Sequence, residues 1–199
     1  MKFTSTLISL AFAASAIASP MAMEADVEER GLTRSILNPT KASTHFKATP
    51  IIGCILPFQA TAIVNAFNYL LANPKASDFT TTANALLSCD FQDFSDSINQ
   101  LAGIPEGSVT FARRDAFITG STSQPPLVLQ SLDIFWSCNA ISWRWISVSG
   151  TGDDSTKVKG IDNFYINPQG QIKSTYAEFN SGAWLADLGY PECSASKKQ

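Results

Sequence analysis

The chain has 199 residues, 45% of them hydrophobic and 16% charged, with a formal net charge of −3. That length is enough for one domain with a full apolar core. No Lys/Arg run goes beyond Arg113-Arg114 and Lys197-Lys198. Nucleic acid and anionic membrane, which both require a dense positive patch, are therefore not expected as partners.

Residues 1–18 read as a signal peptide: Lys2 precedes an apolar run from Leu7 to Ala18, closed by the A-x-A pattern Ala16-Ile17-Ala18. That run is too short to span a bilayer, and no later run is long enough, so a secreted, extracellular protein free of the membrane after cleavage is expected. Residues 19–52 hold no sustained helical or strand period and read as a flexible leader or pro-segment, with Glu29-Arg30 as a processing point or as part of an uncut arm. Residues 53–193 form the expected domain, and 194–199 a disordered tail.

Within the domain, Pro57 suits a first helical turn, where its missing N–H has no partner to lose. Ala60, Ile63, Val64, Phe67, Leu70 and Leu71 then form one apolar stripe that Pro74 ends. A second helix is expected from Ser77 or Asp78, burying Phe79, Ala83, Leu86 and Leu87. Its three consecutive threonines make it a weak helix former that packing must hold. Asp90–Ile98 reads as a short strand or bend, and Thr110–Thr119 as a short helix. From Leu127 the period is that of strands: 127–137, 139–149, 157–166 and 171–179. Helices followed by a run of strands predict an α+β fold, with helices on one face of an antiparallel sheet.

The four cysteines, Cys54, Cys89, Cys138 and Cys193, fit an oxidising compartment and allow three pairings. The first choice is Cys54–Cys138 with Cys89–Cys193. No C-x-x-C pair occurs and the one histidine, His45, sits in the leader, so neither zinc nor another metal or cofactor is expected. No Asn-x-Ser/Thr sequon occurs.

Five short motifs stand in order: Cys54 before the first helix, Asp90-Phe-Gln-Asp-Phe-Ser-Asp-Ser-Ile, Cys138 ahead of Trp143-Arg144-Trp145, Val158-Lys-Gly-Ile-Asp, and Glu178-Phe-Asn-Ser-Gly-Ala-Trp184-Leu. In this order the chain resembles the nuclear transport factor 2-like (cystatin-like cone) superfamily, and within it a group of uncharacterised secreted fungal proteins. The resemblance covers about Gly53 to Gly189. It implies a strongly curved sheet around a long first helix, a pocket inside the cone, and a homodimer through the outer sheet face. It implies no single activity.

Ile172 to Gly189 resembles the closing strand of polyketide-cyclase-like members. Alternation puts Tyr176, Glu178 and Asn180 on one face, which the resemblance identifies as the pocket face. Asn180 stands where those members often carry an acid, which leaves Glu178 as a base if burial raises its pKa. The alternative is a structural carboxylate bonded to Arg144 or to backbone N–H. Arg144 falls on the opposite face from Trp143 and Trp145, either orienting an anionic or carbonyl ligand or pairing with Glu178 or Asp162. Ile146 follows it two residues on, so the Asp-Arg-Asp arrangement of epoxide-hydrolase relatives is absent. Among Asp90, Asp93 and Asp96, the outer two read as caps or turn formers and Asp93 as the pocket member. The catalytic candidates are thus Glu178, Asp93 and Arg144, and the ligand-binding set Tyr176, Asn180, Asp162 and Trp143. The leading expectation is a protein that binds a small apolar ligand or a partner without catalysis. The alternatives are a cofactor-independent lyase, isomerase or hydrolase using a pocket carboxylate, and an extracellular interaction protein.

Overall fold

The computed structural model describes residues 46–148 and 158–187. The signal peptide, His45 and the leader before it, the turn around Gly150, Cys193 and the tail lie outside the described residues. The elements in order are α1 (Pro57–Ala72), α2 (Phe79–Leu86), β1 (Leu87–Phe94), α3 (Asp96–Ala102), β2 (Val109–Phe111), α4 (Arg114–Thr122), β3 (Leu129–Trp136), β4 (Ala140–Ser147), β5 (Lys159–Ile166), β6 (Ile172–Phe179) and α5 (Ser181–Asp187).

Helix α1 forms where its stripe predicts. Gln59 Oε1 accepts the Leu56 N–H at 2.9 Å at its start, and at its end the Asn73 N–H bonds back to the Tyr69 carbonyl one residue before Pro74. Ala60, Ile63, Val64, Phe67 and Leu70 are all buried. Helix α2 buries Phe79, Thr82, Ala83 and Leu86, so packing holds a segment with poor intrinsic propensity.

Leu87 is the first residue of β1 rather than the end of α2. The segment read as a strand or bend at 90–98 divides in two: β1 runs to Phe94, and Ser95 then caps α3 by accepting the Ile98 N–H at 3.0 Å. The helix expected at 110–119 likewise divides into the short strand β2 and helix α4. The four later strands stand where the period-2 pattern puts them.

The six strands form one open, curved sheet in the order β2-β1-β6-β5-β4-β3. The expectation of an antiparallel sheet is corrected at one place: β1 and β6 are parallel. Parallel neighbours need a long connection. Here that connection is everything from α3 to β5, which lets the last strand return beside the first in the same direction. The α+β class holds, with a mixed sheet. Its inner face carries Phe91, Ile141, Trp143, Trp145, Phe164 and Ile172 into one core with α1 and α2, and Phe67 of α1 meets Phe164 at 4.9 Å and Phe117 at 5.8 Å.

The chain before Gly53 also packs. Ile51 N–H bonds to the Pro168 carbonyl at 2.9 Å, and Phe46 and Ile51 lie against the core. Gly170 permits this: its φ is +82° and a Cβ there would sit 2.1 Å from the Thr49 carbonyl oxygen.

Cys54 and Cys138 form a disulfide that ties the entry to α1 to the β3–β4 turn across a separation of 84 residues. Cys89 is exposed and unpaired among the described residues. Because a closed loop of that length restricts the unfolded chain strongly, the Cys54→Ala/Cys138→Ala variant should lose about 2–4 kcal/mol of unfolding free energy in urea titrations.

Candidate functional site

Strand alternation on β5 is unambiguous. Gly160, Asp162, Phe164 and Ile166 are buried, while Ile161, Asn163 and Tyr165 are exposed. On the neighbouring β6, Thr175 and Ala177 are buried and Tyr176 and Glu178 exposed. Register joins these faces: Asp162 lies beside Ala177, and Thr175 beside Asp93 of β1. Two carboxyl side chains, each 3% exposed, thus sit on the inner face on either side of β6, with the fully buried Thr175 between them.

Among the described residues Asp162 has one hydrogen-bond donor. Trp145 on β4 pairs with Gly160 on β5, and its indole occupies the space that a Cβ on Gly160 would take, 2.2 Å from Cζ2. Lying across that glycine, the ring delivers its Nε1–H to Asp162 Oδ1 at 3.0 Å. Trp143, fully buried, spends its own Nε1–H on Ser131 Oγ at 2.9 Å. By contrast, Asp93 Oδ1 and Thr175 Oγ1 are buried without a hydrogen-bond partner among the described residues. An unsatisfied buried polar atom costs roughly 1–3 kcal/mol, and these two lie on paired positions of adjacent strands.

Burial pushes the Asp162 carboxyl up to about 7, against the pull of the Trp145 indole. Burial first, and then the charge of Asp162, pushes Asp93 up to about 8, while a backbone hydrogen bond from Phe94 opposes the rise. Both carboxyls are held above the usual carboxylate range, and the charge of Asp162 resists ionisation of Asp93. At neutral pH Asp93 is mostly a neutral acid, able to donate a proton in a hydrogen bond.

The sequence placed Asp93 and Asp162 in the interior, and the structure brings them together. It corrects the placement of Tyr176, Glu178 and Asn180, all of which are exposed rather than turned inward. The physical reason is that both faces of β6 carry an aromatic, so hydrophobicity alone does not choose between them. Glu178 caps α3: its Oε1 accepts the Asp96 N–H at 2.9 Å, its Oε2 accepts the Ser97 N–H at 3.0 Å, and the Ser97 hydroxyl also donates to it. A carboxylate at a helix start meets both orphan donors and the helix dipole. Glu178→Ala should cost about 1–2 kcal/mol in chemical denaturation, with the Asp96 and Ser97 amides losing hydrogen-exchange protection.

Arg144 is on the opposite face from Trp143 and Trp145, as expected, but its partner is neither Glu178 nor Asp162. It pairs with Asp133 of β3 at 2.5 Å, with both side chains nearly half exposed, a geometry that contributes little to stability. Asp96 takes the expected turn role, accepting the Gly107 N–H at 2.6 Å. Of the three catalytic candidates, only Asp93 faces inward. The roles of Thr175 and Trp145 were not read from the sequence. The alternation Gly160-x-Asp162-x-Phe164, a glycine beside two tryptophans of the next strand, was the available signal.

A small helical layer over the inner face of an open, curved mixed sheet, with its polar residues sunk on that face, is the architecture of the NTF2-like domain. The sequence pattern of that domain matches residues 53–191, and the chain belongs to the NTF2-like family. The sequence matches none of the curated proteins. Among solved structures, IdmH, a candidate polyketide cyclase from Streptomyces antibioticus, is similar with a TM-score of 0.52 at 13% identity, over 66% of this chain and 99% of that one. A candidate SnoaL-like polyketide cyclase from Jannaschia sp. CCS1 is similar with a TM-score of 0.53 at 9% identity, over 69% of this chain and 97% of that one. Likeness at such identities speaks for the fold alone.

Proposed function

We propose that this chain is an exported binding protein that takes a small, largely apolar molecule against the inner face of its sheet without transforming it. The observation that carries this reading is the pair of partnerless buried atoms, Asp93 Oδ1 and Thr175 Oγ1, set in a face of indole and phenyl rings. Such a lining favours an apolar body, and the two polar atoms favour one carbonyl or hydroxyl group on it. The rings that would yield to admit it are Phe179 and Trp184. Both are only partly buried, and Phe179 links Trp184 (5.2 Å) to Trp145 (6.1 Å). The disulfide, and the absence of a long apolar helix among the described residues, are compatible with an extracellular location.

Thermal shift across a panel of lipophilic ketones, alcohols and matched hydrocarbons tests the proposal. Oxygenated members should raise the melting temperature where hydrocarbons do not, and Thr175→Val should reduce that preference. A flat response over the whole panel would contradict it.

A second reading is favoured by the raised pKa of Asp93: proton transfer to or from a bound carbonyl compound, as in a cofactor-independent lyase or isomerase. Glu178 and Arg144 are committed elsewhere, so Asp93 would carry this chemistry with Asp162 as its electrostatic neighbour. Turnover by Asp93 as base would rise with pH toward 8 and vanish in Asp93→Asn. For the partner alternative, the exposed Phe135, Ile161, Tyr165 and Tyr176 on the outer face support a homodimer there, which sedimentation of Tyr165→Ser would test.

A further inference from the structure

The outer face of β1 and β6 holds a cleft of about 540 Å³, bordered on one side by the segment leading from β2 into α4. That volume lies within the range of small-ligand sites. Its lining is mixed rather than apolar. Arg113 and Lys173 contribute two cations, Asp90 one carboxylate, and Phe94 with Tyr176 an aromatic wall. The two rings are stacked at 4.8 Å with planes 9° apart, a consequence of register, since Phe94 and Tyr176 are paired positions on the parallel strands β1 and β6.

Arg113 has no acidic neighbour in the cleft, while the charge of Lys173 acts on Asp90 beside it. Among the described residues, neither the Arg113 guanidinium nor the Lys173 ammonium makes a hydrogen bond or salt bridge, whereas Arg144 on the same sheet is paired with Asp133. Both are exposed. With one carboxylate against two cations, the cleft has an excess positive charge in a protein whose net charge is negative. An aromatic stack beside that charge favours a planar ring that bears an anion.

We propose that this cleft is a binding site for a small aromatic carboxylate, distinct from the inner-face site and independent of the reading given for it. The guanidinium of Arg113 and the ammonium of Lys173 would take the carboxylate, and the ring would extend the Phe94–Tyr176 stack. Arginine suits the first role because its planar fork matches a carboxylate with two parallel hydrogen bonds.

Calorimetric titration of the full chain with 2-naphthoate, and with 2-naphthamide as its uncharged counterpart, tests the proposal. The acid should bind at least about 10-fold more tightly than the amide, as expected for a charge-assisted contact. Arg113→Gln/Lys173→Gln should remove that advantage, and raising the salt from 50 to 500 mM should weaken the acid while leaving the amide unchanged. Asp90→Asn should tighten the acid about two- to threefold by removing the one repulsive charge. These positions are exposed, and thermal melts of each variant that match the parent show that a loss of binding reads on the site. No heat of binding with the parent chain, equal affinity for acid and amide, or a double variant that binds like the parent would each overturn the proposal.

Discussion

Gly160→Ala should destabilise this protein by roughly 3 kcal/mol, although the same change at an ordinary strand position is mildly stabilising. The added methyl would lie 2.2 Å from Trp145 Cζ2, 2.6 Å from Cε2 and 2.7 Å from Cη2. The contact is with the body of a ring that is 3% exposed, so no flexible end can give way. Moving the indole breaks its hydrogen bond to Asp162 and leaves a buried carboxyl without its donor, adding a penalty of about 1–3 kcal/mol to the overpacking. Urea denaturation followed by tryptophan emission would read both effects. A change below about 1 kcal/mol would mean that Trp145 does not lie over Gly160.

The second large effect concerns pH. In the unfolded chain Asp93 and Asp162 titrate near 3.9, but in the folded chain near 8 and near 7. Between these limits the native state holds protons that the unfolded state has released. The stabilising contribution is complete below about pH 4 and is lost as pH rises through 7 and 8. The slope approaches about 1.4 kcal/mol per pH unit for each proton held. Stability should therefore fall between pH 5 and pH 8. Asp93→Asn removes one of the two titrations, so the variant should match the parent to within about 1 kcal/mol at pH 4 and exceed it at pH 8.5. Equilibrium unfolding at four or five pH values from 4 upward would show this divergence. Stability that climbs steadily from pH 5 to pH 8 in the parent would contradict it.

The helical stripe of α1 and the strands β3 to β6 were legible because each keeps one period over two turns or more, with a turn signal at the end. The parallel pairing of β1 with β6 was not, because it joins segments almost eighty residues apart and leaves no local trace. Asp93 was found as an inward acid, but β1 itself was blurred: an inward aspartate breaks the hydrophobic alternation by which a strand is read. For β6 the difficulty was different. Tyr176 outside and Thr175 with Ala177 inside reverse the usual rule, because the outer face is aromatic in its own right and the inner face needs small residues where the rings of β4 and the carboxyls of β1 and β5 converge. Glu178 was read as either a base or a partner of backbone N–H. Its second role is the one the geometry displays, and only the position of α3, set by tertiary packing, could decide between them.

The inner site rests on two acids buried on either side of β6, Asp93 mostly protonated in neutral solution and Asp162 close to its midpoint. Carboxyl-carbon NMR of the chain labelled at aspartate, with Asp93→Asn and Asp162→Asn to assign the signals, measures this directly. Two resonances with midpoints near 7 and near 8 are predicted. Midpoints for both close to 4, the ordinary solvent-exposed value, would show that these side chains meet water, and the inner site would have to be abandoned.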